Sequence, residues 1–290
     1  MNAPRFPIKQ GSISDPTLFD RNPSTAATPG ELGWQRLHSR RGEPLFLADW
    51  ERAVFIHFSV EPQRLQPWVP FPLDCRDGSA WVSLVAFTMR DMRPRLGGSV
   101  GRRLFAPIAT HAFLNVRTYV VRNGEPGIHF LAEWLTNRLA VLLGPVAFGL
   151  PYRLGRIDYH HEPEKDAAIE GRVTTADGGA SLRYHADWLA EPLAPCTRGS
   201  LDEFLLERYT AYVTWAGGRQ PGFFRIWHRP WPQCRIDLAL TDRSLLERAP
   251  GGRDWGATAR FTFANYSPGC REVLMGRPGW INPRPESQPN

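Results

Sequence analysis

Lysine is nearly absent from this chain of 290 residues: Lys9 and Lys165 are its only two. The formal charge of +6 and pI near 9.4 therefore rest on arginine, a skew that a GC-rich genome is enough to produce. The arginines are not clustered either. The longest basic runs are the pairs Arg40-Arg41 and Arg102-Arg103, with acids interspersed, so a nucleic-acid partner is not expected. Cysteine is sparse and scattered. Cys75, Cys196, Cys234 and Cys270 form no Cys-x-x-Cys pair, which argues against both a zinc site and a disulfide framework. The first residues lack the apolar core of a signal peptide. The longest apolar run, Leu139 to Leu150, is interrupted by Gly144, Pro145 and Gly149 and is too short to span a bilayer. Missing as well are G-x-G-x-x-G, G-x-x-x-x-G-K-[ST] and H-E-x-x-H, the usual supports for nucleotide and metalloprotease readings. These absences point to a cytoplasmic protein with reduced thiols, no metal, no cofactor and no membrane partner.

What remains is a domain built mainly of strands. Residues 1–30 and 281–290 are rich in Pro, Ser or Thr and read as tails. Residues 31–280 contain no linker and no repeat and read as one domain. Ala53–Val60 is β-branched and aromatic, and a short helical segment starts near Glu61-Pro62. Asp77-Gly78 turns the chain into a strand over Ala80–Met89. Asn123-Gly124 and Asp177-Gly178-Gly179 mark hairpins, the first of them the strongest short-range hairpin signal available. Helices are expected over Leu135–Leu143 and over Ser200–Tyr209, where Ser200 and Glu203 make a capping box. Later strands fit Phe223–His228, Arg235–Leu240 and Arg260–Tyr266. Many strands, few helices and no βαβ alternation argue for a closed antiparallel assembly.

Chemistry concentrates in Thr110–Val121, T-H-A-F-L-N-V-R-T-Y-V-V. In a strand, alternate side chains face opposite sides. Ala112, Leu114, Val116, Thr118 and Val120 make one face. His111, Phe113, Asn115, Arg117 and Tyr119 make the other. Across the hairpin, simple alternation puts Gly127, His129, Leu131 and Glu133 on one face, which would bring His129 and Glu133 toward His111, Asn115 and Arg117. A histidine and a carboxylate beside an arginine can move a proton and hold an anion. On alternation alone, however, the polar row is the solvated side of a two-faced sheet. His160-His161-Glu162 reads as a surface loop, and His228-Arg229-Pro230-Trp231-Pro232 as packing and punctuation at a strand end.

Several motifs in order then resemble a known family: W-V-P-F-P-L-D-C-R-D-G-S-A-W-V-S-L-V-A-F-T-M (Trp68–Met89), N-V-R-T-Y-V (Asn115–Val120), L-P-Y (Leu150–Tyr152), F-L-L-E-R-Y (Phe204–Tyr209) and H-R-P-W (His228–Trp231). The stretch Asp49–Ser267 is similar to the YqjF-like family of uncharacterised bacterial proteins, itself akin in structure to acetoacetate decarboxylase. The resemblance implies a β-rich α+β fold: an acetoacetate decarboxylase-like antiparallel β-barrel or cone with an internal cavity and a few peripheral helices. It also turns the Asn-Arg-Tyr row inward. Acetoacetate decarboxylases form a Schiff base on a lysine within Tyr-Pro-Lys-Lys-Leu-Gly, and the similar stretch here is Leu150-Pro151-Tyr152-Arg153-Leu154-Gly155. A Schiff base needs a neutral amine, Tyr152 cannot supply one, and Arg153 stays protonated. Phe113 stands where many relatives carry an acid, while Glu133 falls where they often have Asp or Glu.

The resulting expectation is a cofactor-free enzyme of lyase, hydratase or isomerase type. It would act on a small organic acid or carbonyl compound without imine chemistry. His111, Glu133 and Tyr152 are the candidate catalytic groups, and Asn115, Arg117, Tyr119, His129 and Arg153 the candidate substrate-binding ones. The alternative is a non-catalytic binder of a small anionic or aromatic metabolite. A homo-oligomer is compatible with either.

Overall fold

The computed structural model describes residues 26–188, 191–215 and 220–281. Its strands are β1 (Phe46–Val60), β2 (Ala80–Pro94), β3 (His111–Arg122), β4 (Glu125–Leu135), β5 (Tyr152–His160), β6 (Ala168–Thr175), β7 (Ser181–Asp187), β8 (Thr210–Trp215), β9 (Gln220–Trp227), β10 (Cys234–Ile236), β11 (Leu238–Asp242), β12 (Arg260–Met275) and β13 (Gly279–Trp280). The helices are short: α1 (Pro29–His38), α2 (Pro62–Leu65), α3 (Gly98–Phe105), α4 (Arg138–Phe148), α5 (Pro163–Asp166), α6 (Leu201–Leu206) and α7 (Trp255–Thr258).

Turn chemistry sets the registers. Asn123 and Gly124 both take positive φ, 48° and 71°, as a two-residue type I′ hairpin requires, and they join β3 to β4. The Asp177-Gly178-Gly179 turn joins β6 to β7 as its sequence predicts. The strands fall in one sheet whose main path runs β11-β7-β6-β5-β4-β3-β2-β1-β12-β9-β13, with β10 paired to β12. β8 pairs with both β9 and β4, so β4-β3-β2-β1-β12-β9-β8 closes into a ring. The sheet is mixed rather than wholly antiparallel, because β4 meets both β5 and β8 in parallel.

Closure gives the ring strands two dry faces. One core takes Phe55 from β1, Val85 and Phe87 from β2, Phe113 and Tyr119 from β3, Phe130 from β4, Val213 from β8, Phe224 from β9 and Val273 from β12. Every strand of the ring contributes to it and the outer strands β6, β7 and β11 contribute nothing, so this core is the ring's interior. The other core takes the alternate residues, such as Ile56, Leu84, Val116 and Ala132, and covers them with Val173, Leu182 and Leu238 from the outer strands β6, β7 and β11. A two-faced strand row has no wet side in this arrangement.

One irregularity decides which side chains share the interior. Val116 pairs with Ala132 but Arg117 pairs with Phe130, leaving Leu131 as an extra residue in β4. Such a β-bulge breaks the alternation of the strand that carries it.

Candidate functional site

The site grows from the inner row of β3. His111, Phe113, Asn115, Arg117 and Tyr119 are all buried. At one end Ser200 caps α6, its hydroxyl accepting from Glu203 N at 3.1 Å. The Glu203 carboxylate takes Gly199 N, one residue earlier than a full capping box requires. The capped turn aims the Leu205 carbonyl inward, where it accepts from Arg117 Nη2 and from the Tyr119 hydroxyl, each at 2.9 Å. The Arg117 guanidinium lies 5.7 Å from the centre of the Phe55 ring. Its Nε has no hydrogen-bond partner, and among the described residues no carboxylate forms an ion pair with it. A buried guanidinium in that state keeps an unused donor.

Asn115 is paired in register with Glu133, and Glu133 in turn with Tyr152 on the parallel strand β5. Asn115 Oδ1 and Glu133 Oε2 also lack partners. Burial lifts the Glu133 carboxyl well above its ordinary 4.5, which favours its protonated form. Burial, with Glu133 beside it, likewise keeps the Tyr152 phenol un-ionised. The Tyr152 ring lies 5.7 Å from that of Phe113 and against the Cα of Gly144 in α4, where an added Cβ would fall 2.2 Å from the ring.

The remaining expected residues separate from this group. His111 has both ring nitrogens unpartnered, and burial lowers it to about 4, so it is neutral. Six residues of strand place its backbone about 20 Å from that of Arg117, with Phe113 between them on the same face. His129 stands opposite Thr118 on the outer face, against Phe71 and Tyr212, and its Nδ1–H donates to Tyr212 O at 2.9 Å. Counting by twos along β4 puts His129 with Glu133, and the bulge at Leu131 breaks that count. Arg153 follows Tyr152 and so faces outward, over the Trp134 ring and onto the Arg248 carbonyl.

The structure also brings in residues that were not among the expected site residues. The Tyr119 hydroxyl lies 2.6 Å from Ser83 Oγ, Ser83 Oγ 2.7 Å from His57 Nδ1, and His57 Nε2 3.0 Å from Asn265 Oδ1. Asn265 Nδ2 donates to Asp202 and Gln233, which fixes its amide orientation. His57 Nε2 therefore carries a proton and Nδ1 accepts from Ser83. Burial, with Arg117 nearby, holds His57 at about 3. Glu207 accepts from Trp231 N at 2.9 Å and from the Tyr209 hydroxyl, and burial raises it more than Arg117 lowers it. The signal for His57 was its alternation with Ala53 and Phe55. His161, read as part of a surface loop, is buried between Arg52 O (2.8 Å) and the Tyr184 hydroxyl (2.7 Å). Among the described residues, no three His, Cys, Asp or Glu side chains are grouped as a metal site.

Residues 47–270 match the DUF2071 family, described as an uncharacterised conserved protein. YqjF of Bacillus subtilis (strain 168) is 33% identical over 189 residues, 63% of this chain and 72% of that protein. The chain belongs to the DUF2071 family. Its fold is that of acetoacetate decarboxylase. The enzyme from Legionella pneumophila superposes with a TM-score of 0.58 at 12% identity, over 86% of this DUF2071 chain and 95% of its own. The enduracididine biosynthesis enzyme MppR, solved in complex with pyruvate, gives 0.56 at 12% identity over 83% and 92%. At such identities the likeness is one of fold.

Proposed function

We propose that this DUF2071 protein is a cofactor-free enzyme that moves a proton beside the carbonyl of a small organic acid, with Arg117 as the anion anchor. Lyase, hydratase and isomerase reactions of such acids share that step. The observation carrying the proposal is the set of buried polar atoms that the protein leaves unpaired at adjoining positions of one inner wall: Asn115 Oδ1, Arg117 Nε and Glu133 Oε2. Buried polar groups are almost always paired. Of the three, Arg117 Nε offers a donor and a cation to a carboxylate, the Glu133 carboxyl is biased by burial toward the form that can donate, and Asn115 Oδ1 is an acceptor left for a donor group of the ligand. In this reading Arg117 holds the carboxylate, the Asn115 amide and the Tyr152 hydroxyl donate to the developing oxyanion, and Glu133 delivers a proton to the enolate carbon, becoming a carboxylate. Tyr119, which donates to the same Leu205 carbonyl, orients Arg117. His111 stands too far along the strand to share this step. Pyruvate bound to an enzyme of the same fold supports a small 2-oxo acid as the first probe.

A second reading, a non-catalytic binder of a small anionic or aromatic metabolite, draws support from the aromatic side chains around the wall, including Phe55, Phe87, Phe113 and Trp231. Deuterium uptake separates the two. In D2O the enzyme reading predicts exchange at the carbon next to the carbonyl in pyruvate or another 2-oxo acid, followed by NMR. Exchange starts from the Glu133 carboxylate, so its rate rises with pH through the raised Glu133 value, and Glu133→Gln abolishes it. Binding without exchange at any pH would favour the binder.

A further inference from the structure

Outside the ring, α3 and α4 present an apolar surface that nothing in the chain covers. Leu96, Val100 and Leu104 are between 73% and 76% exposed on and just before α3. On α4, Leu142 and Val146 are 69% and 80% exposed, with Leu139 and Leu143 beside them at 43% and 44%. The four α4 residues fall at helical offsets 0, 3, 4 and 7, one stripe of the helix. The opposite side is already packed: Ala140 is buried, Gly144 meets Tyr152, and Phe148 meets Phe224. After Arg138, α4 is therefore apolar all round, the pattern of a helix covered on every side. The two helices adjoin. Asn137 donates to Pro107 O at 2.6 Å, and the Phe46 ring sits between those of Phe105 (5.3 Å) and Phe148 (6.0 Å). An apolar surface this continuous marks an interaction site.

Charge selects the partner. Residues 92–124 and 134–157, which contain both helices, include no Asp or Glu at all. The exposed charges beside the patch are Arg95, Arg102, Arg103 and Arg138. Arg102 pairs with Asp91, while the other three have no ion pair among the described residues. Two copies meeting about a two-fold axis would bring like-charged rims together. An anionic bilayer meets both demands, taking leucine and valine among its acyl chains and arginine at its headgroups. With eleven residues, α4 is about 16 Å long, half of what a bilayer core needs, so it lies on the surface rather than across it. We infer that the α3–α4 face docks peripherally on an anionic lipid surface. This inference does not depend on the reading of the ring interior.

Co-sedimentation of the full chain with vesicles tests it. Phosphatidylcholine vesicles containing phosphatidylserine should pellet the protein, and pure phosphatidylcholine vesicles should not. Leu142→Gln with Val146→Gln should abolish pelleting. Arg103→Gln with Arg138→Gln should weaken it by about fivefold per arginine removed. All four side chains are exposed, and unchanged near-UV circular dichroism would confirm that the variants fold. Protein that stays in solution with both vesicle types overturns the inference. So does a dimer, seen by light scattering, that Leu142→Gln with Val146→Gln dissociates, because the face would then belong to a second copy.

Discussion

Glu133 shows how burial sets the chemistry of a single group. Its carboxyl is raised above 4.5 in the folded chain, so the native state holds a proton that the unfolded chain releases. That contribution to stability is complete below 4.5 and is lost as pH rises through the folded value. Glu133→Gln should therefore gain stability relative to wild type as pH climbs above 4.5, and the gap should close at lower pH. Urea denaturation across pH measures this, and a gap that does not change with pH contradicts it. His111 works with the opposite sign. Held at about 4 against an ordinary 6.5, it opposes folding once the unfolded chain can take up a proton, so its cost appears as pH falls from 6.5 toward 4. His111→Phe should flatten the wild-type decline in that window, as the same titration would show. Residue types and their places along β3 were legible in sequence. Their protonation states were not, because burial on both faces depends on ring closure.

Elements position these residues, and two short helices matter most. The Ser200 cap holds the turn whose Leu205 carbonyl receives both Arg117 and Tyr119. Ser200→Ala should cost about 1 kcal/mol of stability and weaken ligand binding at Arg117, as denaturation and calorimetry together would show. A cost in stability with unchanged affinity would mean the cap does not position the anchor. Gly144→Ala would drive a methyl into the Tyr152 ring, at about 1–3 kcal/mol, and should change the near-UV signal of that tyrosine. The hairpin turns were readable because Asn-Gly and Asp-Gly-Gly carry their backbone conformations with them. Helix α4 begins at Arg138, three residues later than its leucines suggested, because Asn137 caps it and Leu135 still belongs to β4. The Leu131 bulge had no local signal, and it alone separates His129 from Glu133.

At the scale of the molecule, the decisive event is closure. Strand β8 joins β9 to β4 and converts the polar row of β3 from a plausible wet face into an interior wall. The parallel contact of β4 with β8 links segments far apart in the chain, which periodicity cannot show. The motif resemblance conveyed the fold, whereas alternation by itself favoured the solvated reading. The same limit applies outside the ring: a run too short to span a bilayer was legible in Leu139–Leu150, but its exposure on a surface shared with α3 was not. The central claim is that Arg117 anchors a small carboxylate inside the ring. Thermal denaturation of wild type and Arg117→Met against a panel of small carboxylates, pyruvate among them, with their uncharged amides as controls, tests it most directly. At least one acid, and not its amide, should stabilise wild type by about 2.7 kcal/mol at a hundredfold excess over Kd, while Arg117→Met should gain nothing. Equal stabilisation of both proteins, or of wild type by acid and amide alike, would contradict it.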